Sequence, residues 1–339
     1  MNLISLSEKI LLAGANGMAG KSIHKSLKNS GYGNINNNGL LLTPTRDEID
    51  FSNFEKTKEY FEFHSPSVVI IAAAKVGGIY ANRNYPTEFI LDNLKIQNNI
   101  IENSWKTGVK RLLFLGSSCI YPKYSEQPIK EESLLCSQLE CTNEYYAIAK
   151  IAGIKLCEAL RSQYSFDAIS LMPTNLYGEG DNYHNKNSHV VPALIRKFYE
   201  AKKKNEKSVF CWGTGEPKRE FMNAYDLGSA AVFALEKWNP DDKNSPKNSI
   251  TGTALNYLNI GTGKDITIKE LAETIAKKIG YEGMIKWEAD KEYNGTPRKL
   301  LDVSRINKLG WEAKIDLDIG LEKTIKDFAI DYDYGVIRK

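Results

Sequence analysis

The stretch Lys9-Ile10-Leu11-Leu12-Ala13-Gly14-Ala15-Asn16-Gly17-Met18-Ala19-Gly20 decides the fold. Its first five residues read as a short buried strand. The residues that follow, with Ile23 and Leu27 one turn apart, read as a helix. Glycines 14, 17 and 20 punctuate the turn between them. They permit a tight turn, a close approach of backbone to a pyrophosphate, and close packing of helix on strand. The spacing alone is a weak signal, and its place between a strand and a helix makes it specific. Gly14, Asn16, Gly17, Met18 and Gly20 are therefore candidate cofactor residues.

Outward from this turn, strands and helices alternate. Leu40 to Thr43 reads as a second strand, and Val68 to Ala73 as a third, near-continuous apolar one, as in parallel sheets. Pro86 opens a helix that runs to about Thr107 and stops at Gly108. Arg111 to Leu115 is a fourth strand, Thr142 to about Tyr164 a helix, and Ala168 to Leu171 a fifth strand. The alternation predicts an α/β fold, a doubly wound parallel (Rossmann) sheet. After Pro173 the pattern loosens. Residues 1–176 plus about 224–262 are expected to form a dinucleotide-binding domain. About 177–223 plus 263–339 are expected to form a smaller C-terminal lobe for the substrate, over the edge where such sheets bind ligands.

The composition excludes several classes. The net charge of +3 and the single basic run Lys202-Lys203-Lys204 do not argue for a nucleic-acid partner. No apolar run is long enough to span a bilayer, and Met1 to Lys9 lacks the core of a secretion signal, so no membrane partner and a cytoplasmic location are expected. The cysteines at 119, 136, 141, 157 and 211 form no C-x-x-C pair, and His184 and His189 lie five apart, so no metal is expected.

A second segment carries the chemistry. Gly116-Ser117-Ser118-Cys119-Ile120-Tyr121-Pro122 follows the fourth strand, and Tyr146 and Lys150 lie four apart on one helix face. A phenol beside an ammonium is expected to have a lowered pKa and to protonate a carbonyl oxygen as hydride reaches the carbon. Ser117 or Ser118 can hydrogen-bond the same oxygen. Cys119 adds a thiol that hydride transfer does not need. His189, which titrates near neutrality, fits either a second acid/base or a satisfied polar residue. The second strand ends in Thr43-Pro44-Thr45-Arg46, without the carboxylate that holds a 2′-hydroxyl in NAD sites. Arg46 can pair with a 2′-phosphate, so NADP(H) is the expected cofactor.

The segments 72–79, 115–123, 147–157, 172–178, 187–194 and 295–302 together resemble the extended short-chain dehydrogenase/reductases, and among them the GDP-L-fucose synthase family. The resemblance implies an NADPH-dependent oxidoreductase and isomerase acting on GDP-4-keto-6-deoxymannose. Ser117, Tyr146 and Lys150 would be its reductase triad, and Cys119 and His189 its epimerisation base and acid. The cofactor would lie along Gly14 to Gly20, Arg46, Ala73, Leu115, Gly116, Ser117, Ser118, Tyr146, Lys150, Pro173, Asn175, Leu176 and His189. The nucleotide sugar would meet Ser118, Asn175, Lys197, Trp212, Arg219 and Lys299. Departures from the family pattern are Asn16 and Pro44 near the 2′-phosphate site, Lys197 where an arginine is usual, and Cys141 and Tyr145 where prolines are common.

Related dehydratases carry an Asp–Glu pair where this chain has Ser118 and Cys119, which disfavours dehydration. A close alternative is C4 reduction, with or without epimerisation, of a GDP-4-keto-6-deoxy-heptose. A catalytically silent dinucleotide-binding protein would not need Ser117, Tyr146 and Lys150. The helices 86–107 and 142–164 are expected to expose apolar stripes (Phe89, Leu94, Ile101; Ile151, Ile154, Leu156). As in relatives, these would pair across a two-fold as a four-helix bundle in a homodimer.

Overall fold

The computed structural model describes residues 2–288 and 294–338; residues 289–293 and 339 of the expected lobe lie outside this range. In chain order the first half comprises β1 (Lys9–Ala13), α1 (Met18–Asn29), β2 (Leu40–Leu42), α2 (Phe54–His64), β3 (Val68–Ile71), α3 (Ile79–Asn84), α4 (Pro86–Lys106), β4 (Arg111–Leu115), α5 (Glu144–Tyr164), β5 (Ala168–Pro173) and β6 (Asn175–Tyr177). The second half comprises α6 (Val190–Lys203), β7 (Ser208–Trp212), β8 (Lys218–Asn223), α7 (Ala224–Lys237), β9 (Tyr257–Ile260), β10 (Asp265–Thr267), α8 (Ile268–Ile279), β11 (Met284–Glu288), β12 (Arg298–Lys299), α9 (Ser304–Leu309) and α10 (Leu317–Asp333).

Six strands form one sheet in the order β2-β1-β3-β4-β5-β9, and every neighbouring pair is parallel. Strands β3, β4 and β5 are buried at every position. A strand buried on both sides needs helices on both faces, which is why these strands read as unbroken apolar runs. Strand order runs one way from β1 to β2 and the other way from β3 onward. Right-handed crossovers therefore put α1 on one face and α2, α4 and α5 on the other. Accordingly α1 packs on α7, and α4 packs on α2 and α5. The reversal lies between β1 and β3, and the crevice above such a reversal is where these sheets bind ligands.

A second core lies beyond the C-terminal ends of these strands. Leu194, Ile195 and Phe198 of α6 meet Leu271 and Ile275 of α8 and Leu321 and Phe328 of α10. Strand β8 carries most of the pairing there: β6 and β12 run parallel to it and β10 antiparallel. The segment after β12 returns to the first core, where Leu301, Val303, Ile306 and Trp311 are buried.

Two buried carboxylates fasten these pieces. Glu220 of β8 is fully buried and accepts from the backbone N–H groups of Thr262 (2.5 Å), Gly263 (2.8 Å) and Leu301 (3.0 Å). Glu131, 1% exposed, accepts from Asn259 N–H at 3.0 Å and is paired with Arg305. Burial pushes both carboxyls above the usual range, opposed by these same hydrogen bonds.

The apolar stripes expected on the long helices are not exposed. Phe89, Ile101, Ile151 and Ile154 are buried, and Leu94 and Leu156 are half-buried. Helical periodicity identifies the face that packs on the sheet, and these residues occupy it. The outward apolar side chains are instead Leu91, Tyr145 and Ile148, each more than 40% exposed.

Replacing Glu220 by Ala leaves three N–H groups without their acceptor, that of Leu301 buried and those of Thr262 and Gly263 partly so. The expected loss is about 3 kcal/mol of unfolding free energy, read as a lower urea midpoint.

Candidate active site

A cavity of about 900 Å³ opens along the C-terminal ends of β1 to β5, between the two cores. Its floor begins at the glycine turn. A Cβ on Gly14, whose φ is +88°, would lie 2.5 Å from the Ala73 nitrogen, and one on Gly20 would lie 2.0 Å from the Gly14 oxygen. Both glycines are required by the packing of helix on strand. Gly17 differs, because an added Cβ would meet nothing closer than 3.5 Å. That glycine leaves room on the ligand side. It precedes α1, whose first turn has no side-chain cap and no acidic residue, so its N–H groups and positive end point at the cavity unopposed. Arg46 lines the same cavity beyond β2. A diphosphate over Gly17 and a further phosphate near Arg46 fit these donors.

The turn after β4 is extended at Ser117 and then forms one 3-10 turn, Ser118–Ile120, with the Ser117 hydroxyl accepting from Cys119 N–H at 3.2 Å. This presents Ser117 and Cys119 to the cavity, while Ser118 is 2% exposed. Of the two serines, it is the Ser117 hydroxyl that acts on the Tyr146 phenol, drawing its pKa down. Phe89 packs edge-on against the Tyr146 ring, with centroids 6.3 Å apart.

Lys150, one turn along α5, is buried and donates to the Leu115 carbonyl at 2.9 Å. Its ammonium lies 4.7 Å from the Phe114 ring centroid and 5.9 Å from that of Tyr146. Burial pulls its pKa down to about 7. The expected depression of the Tyr146 pKa is not found. Burial raises it well above the usual phenol value, and the nearby Cys119 raises it further, against the hydrogen bond with Ser117. A desolvated lysine that holds its proton weakly cannot offset the desolvation of its neighbour. Tyr146 is thus firmly protonated, a store for one proton.

His189 is the N-cap of α6. It lines the cavity, and although its surface is exposed there, the protein packed around it desolvates the ring and lowers its pKa. His184 has a structural part instead, with Nδ1 accepting from the N–H groups of Lys186 and Asn187. On the far wall, β8 and β12 place Arg219 beside Lys299. Arg219 donates to the carbonyls of Lys218 and Asn294 at 2.8 and 2.9 Å, and burial pulls it to about 10. Lys299, 7% exposed, donates to Cys119 Sγ at 3.7 Å. Lys197 sits 4.8 Å from the Trp212 ring centroid.

Every site residue expected from the sequence lines this one cavity, the cofactor group with Ala73, Leu115, Gly116, Pro173, Asn175 and Leu176 included. Sequence reasoning missed others in the wall. Asp181 is 4% exposed, its Oδ2 has no partner, and burial raises its pKa to about 7. Glu140 is buried and caps Thr142 N–H at 3.0 Å. Asp181 follows the glycine turn after β6, a signal that was available; Glu140 had none. Among the described residues no group of three or more His, Cys, Asp or Glu could hold a metal ion, and no helix is long and apolar enough to cross a membrane.

The NAD dependent epimerase/dehydratase family model matches residues 10–248. The chain belongs to this family. It is 48% identical over 318 residues to GDP-L-fucose synthase 1 of Arabidopsis thaliana, covering 94% of this chain and 92% of that one. It is 45% identical over 330 residues to GDP-L-fucose synthase of Escherichia coli K12, covering 96% and 98%. Among solved structures it is similar to a GDP-mannoheptose C4 reductase from Campylobacter jejuni with NADP bound (TM-score 0.81, 34% identity, 96% and 99% covered).

Below about pH 7 the folded protein bears the full cost of a buried Lys150 charge. Between about 7 and 10.5 only the unfolded chain keeps that proton, so this part of stability rises with pH. Lys150→Met is therefore expected to melt at a higher temperature than the wild type near neutral pH, with the gap narrowing towards pH 10. Calorimetry across pH checks both sign and trend.

Proposed function

We propose that this protein is an NADPH-dependent epimerase/reductase that converts GDP-4-keto-6-deoxymannose to GDP-L-fucose. The observation that carries this reading is that Cys119 and His189 line the same cavity as Ser117, Tyr146 and Lys150. A plain carbonyl reductase has no use for the first pair. The identity of 45–48% to two GDP-L-fucose synthases over nearly the whole chain supports the same choice of substrate. Bound NADPH supplies the hydride that C4 receives, and the fit of the glycine turn and Arg46 to its phosphates supports that cofactor.

The chain's residues divide the remaining work. The 4-keto group acidifies the hydrogens on C3 and C5. Cys119 takes one such proton, the electron pair moves onto the ketone oxygen, and Ser117 and Tyr146 hydrogen-bond the oxyanion. His189 returns a proton to the opposite face of the carbon, which inverts it. After inversion Tyr146 gives its proton to the C4 oxygen, with Lys150 held behind it by the Leu115 carbonyl. The larger core carries the dinucleotide, and the smaller lobe carries the GDP part through Lys197, Trp212, Arg219 and Lys299. The bidentate guanidinium of Arg219 suits the diphosphate. Five free cysteines fit a reducing cytoplasm. A second reading, C4 reduction of a GDP-4-keto-6-deoxy-heptose, draws support from the 34% identity to the mannoheptose reductase.

Solvent-deuterium uptake into GDP-4-keto-6-deoxymannose without NADPH tests the reading. Label is expected at C3 and C5, and Cys119→Ser is expected to slow its uptake about 100-fold or more. Tyr146→Phe is expected to cut NADPH oxidation by a similar factor while exchange continues. Absence of exchange in the wild type, with reduction intact, would leave the heptose or plain reductase reading.

We also propose a homodimer built on α4 and α5, where Leu91, Tyr145 and Ile148 present apolar surface on neighbouring helices. Light scattering is expected to give twice the chain mass, and Ile148→Asp with Leu91→Asp is expected to give the monomer.

A further inference from the structure

The mechanism needs Cys119 as a base, and a thiol is not one; only the thiolate takes a proton. The groups facing its sulfur come from three elements. Tyr146 of α5 is held neutral by burial and brings no charge. Arg219 of β8 and Lys299 of β12 bring two cations, set side by side by the pairing of those strands. Neither makes a salt bridge among the described residues: Arg219 donates to two backbone carbonyls, and Lys299 to the sulfur itself. The groups that act on Arg219 are Cys119 itself and, after it, Glu140, which lies ahead of α5.

We propose that Lys299, with Arg219 behind it, holds Cys119 as a thiolate and so makes it the proton acceptor of the epimerisation. The inference deepens the proposed function and rests on it for its purpose. It assigns Lys299 a part beyond contact with the nucleotide sugar. Lys299 is 7% exposed, and the one side-chain partner its ammonium has among the described residues is the sulfur at 3.7 Å, so the charge of the one falls directly on the other. The exchange step then balances without a further base. The C–H bond breaks, an S–H bond forms, and its electron pair passes to the ketone oxygen, while Lys299 stays protonated throughout. Lys299 is thus a positioning residue that acts through Cys119.

The test needs neither sugar nor cofactor, so its failure is distinct from failure of the proposed function. Alkylation by iodoacetamide is followed at each cysteine by peptide mass spectrometry across pH, and the exposed Cys136 serves as the reference thiol in the same chain. In the wild type, Cys119 is expected to react with a flatter pH profile than Cys136. In Lys299→Met the Cys119 profile is expected to steepen, with its rate at neutral pH falling about tenfold relative to its high-pH plateau. Lys299→Arg, which keeps the charge, is expected to restore the flatter profile. Normalising to the plateau removes differences in access to the cavity. A Cys119 profile that superimposes on that of Cys136 in the wild type, or that is unchanged in Lys299→Met, overturns the proposal. If Lys299→Met does not fold, the wild-type comparison decides alone.

Discussion

The sugar end of the cavity depends on the carboxylate of Glu220. It lies between the loop after β9 and Leu301, two residues beyond β12, and three backbone N–H groups converge on it. Strand β12 is only two residues long, too short to hold a register by its own ladder. The Leu301 bond to Glu220 and the bridge of Ile129 to Leu301 supply what the strand lacks. Once β12 is fixed on β8, Lys299 has to stand opposite Arg219, and both side chains reach the turn that carries Cys119. The position of two cations at the thiol is thus set by a carboxylate that never meets the cavity's contents.

Burial is the second organising force, and it acts on Lys150, Tyr146 and His189 in the direction of the neutral form. Lys150 loses most of its hold on its proton, Tyr146 keeps its own, and His189 leans to neutral imidazole. For a reductase this is a useful ground state. The phenol enters the reaction loaded, and the charge that develops on the substrate oxygen finds donors that are already aligned rather than solvent that must reorganise. In the proposed epimerisation His189 gives the proton of its imidazolium form and is left as neutral imidazole, and the desolvation that lowers its pKa makes that form the stronger acid.

Local pattern made the parallel sheet and the cofactor turn legible. The strand, glycine turn and helix at 9–29, and the unbroken apolar runs of β3 and β4, are consequences of burial on two faces, and sequence displays burial directly. The wall residues were legible for a different reason: Ser117 and Cys119 lie two apart and Tyr146 and Lys150 four apart, so spacing reports the geometry within each pair. What stayed hidden was long-range. Nothing near Glu220 in sequence announces that Leu301, 81 residues on, needs its carboxylate. The stripes on α4 and α5 were misassigned because periodicity gives the packed face of a helix, while Leu91 and Ile148 stand out only after that face is covered. The Tyr146 pKa was misjudged because four-residue spacing places a lysine near a phenol but says nothing of how much water both have lost.

The arrangement also explains how an epimerase can share a pocket with a reductase. Ser117 and Cys119 leave one short turn after β4, so in the proposed chemistry the group that stabilises the ketone oxygen and the group that takes the neighbouring hydrogen are placed by the same turn. His189 comes from the start of α6, which is anchored in the other core through Leu194, Ile195 and Phe198. In the proposed chemistry a ring bound between the cores has its base on one side and its acid on the other, each carried by an element packed in a different core. Inversion requires that opposition, since a base and an acid on one face return the proton to where it came from. The same separation lets reduction follow without rebuilding the site, because Tyr146 and Lys150 belong to the first core and remain fixed relative to the glycine turn while the carbon flanking the ketone changes hand.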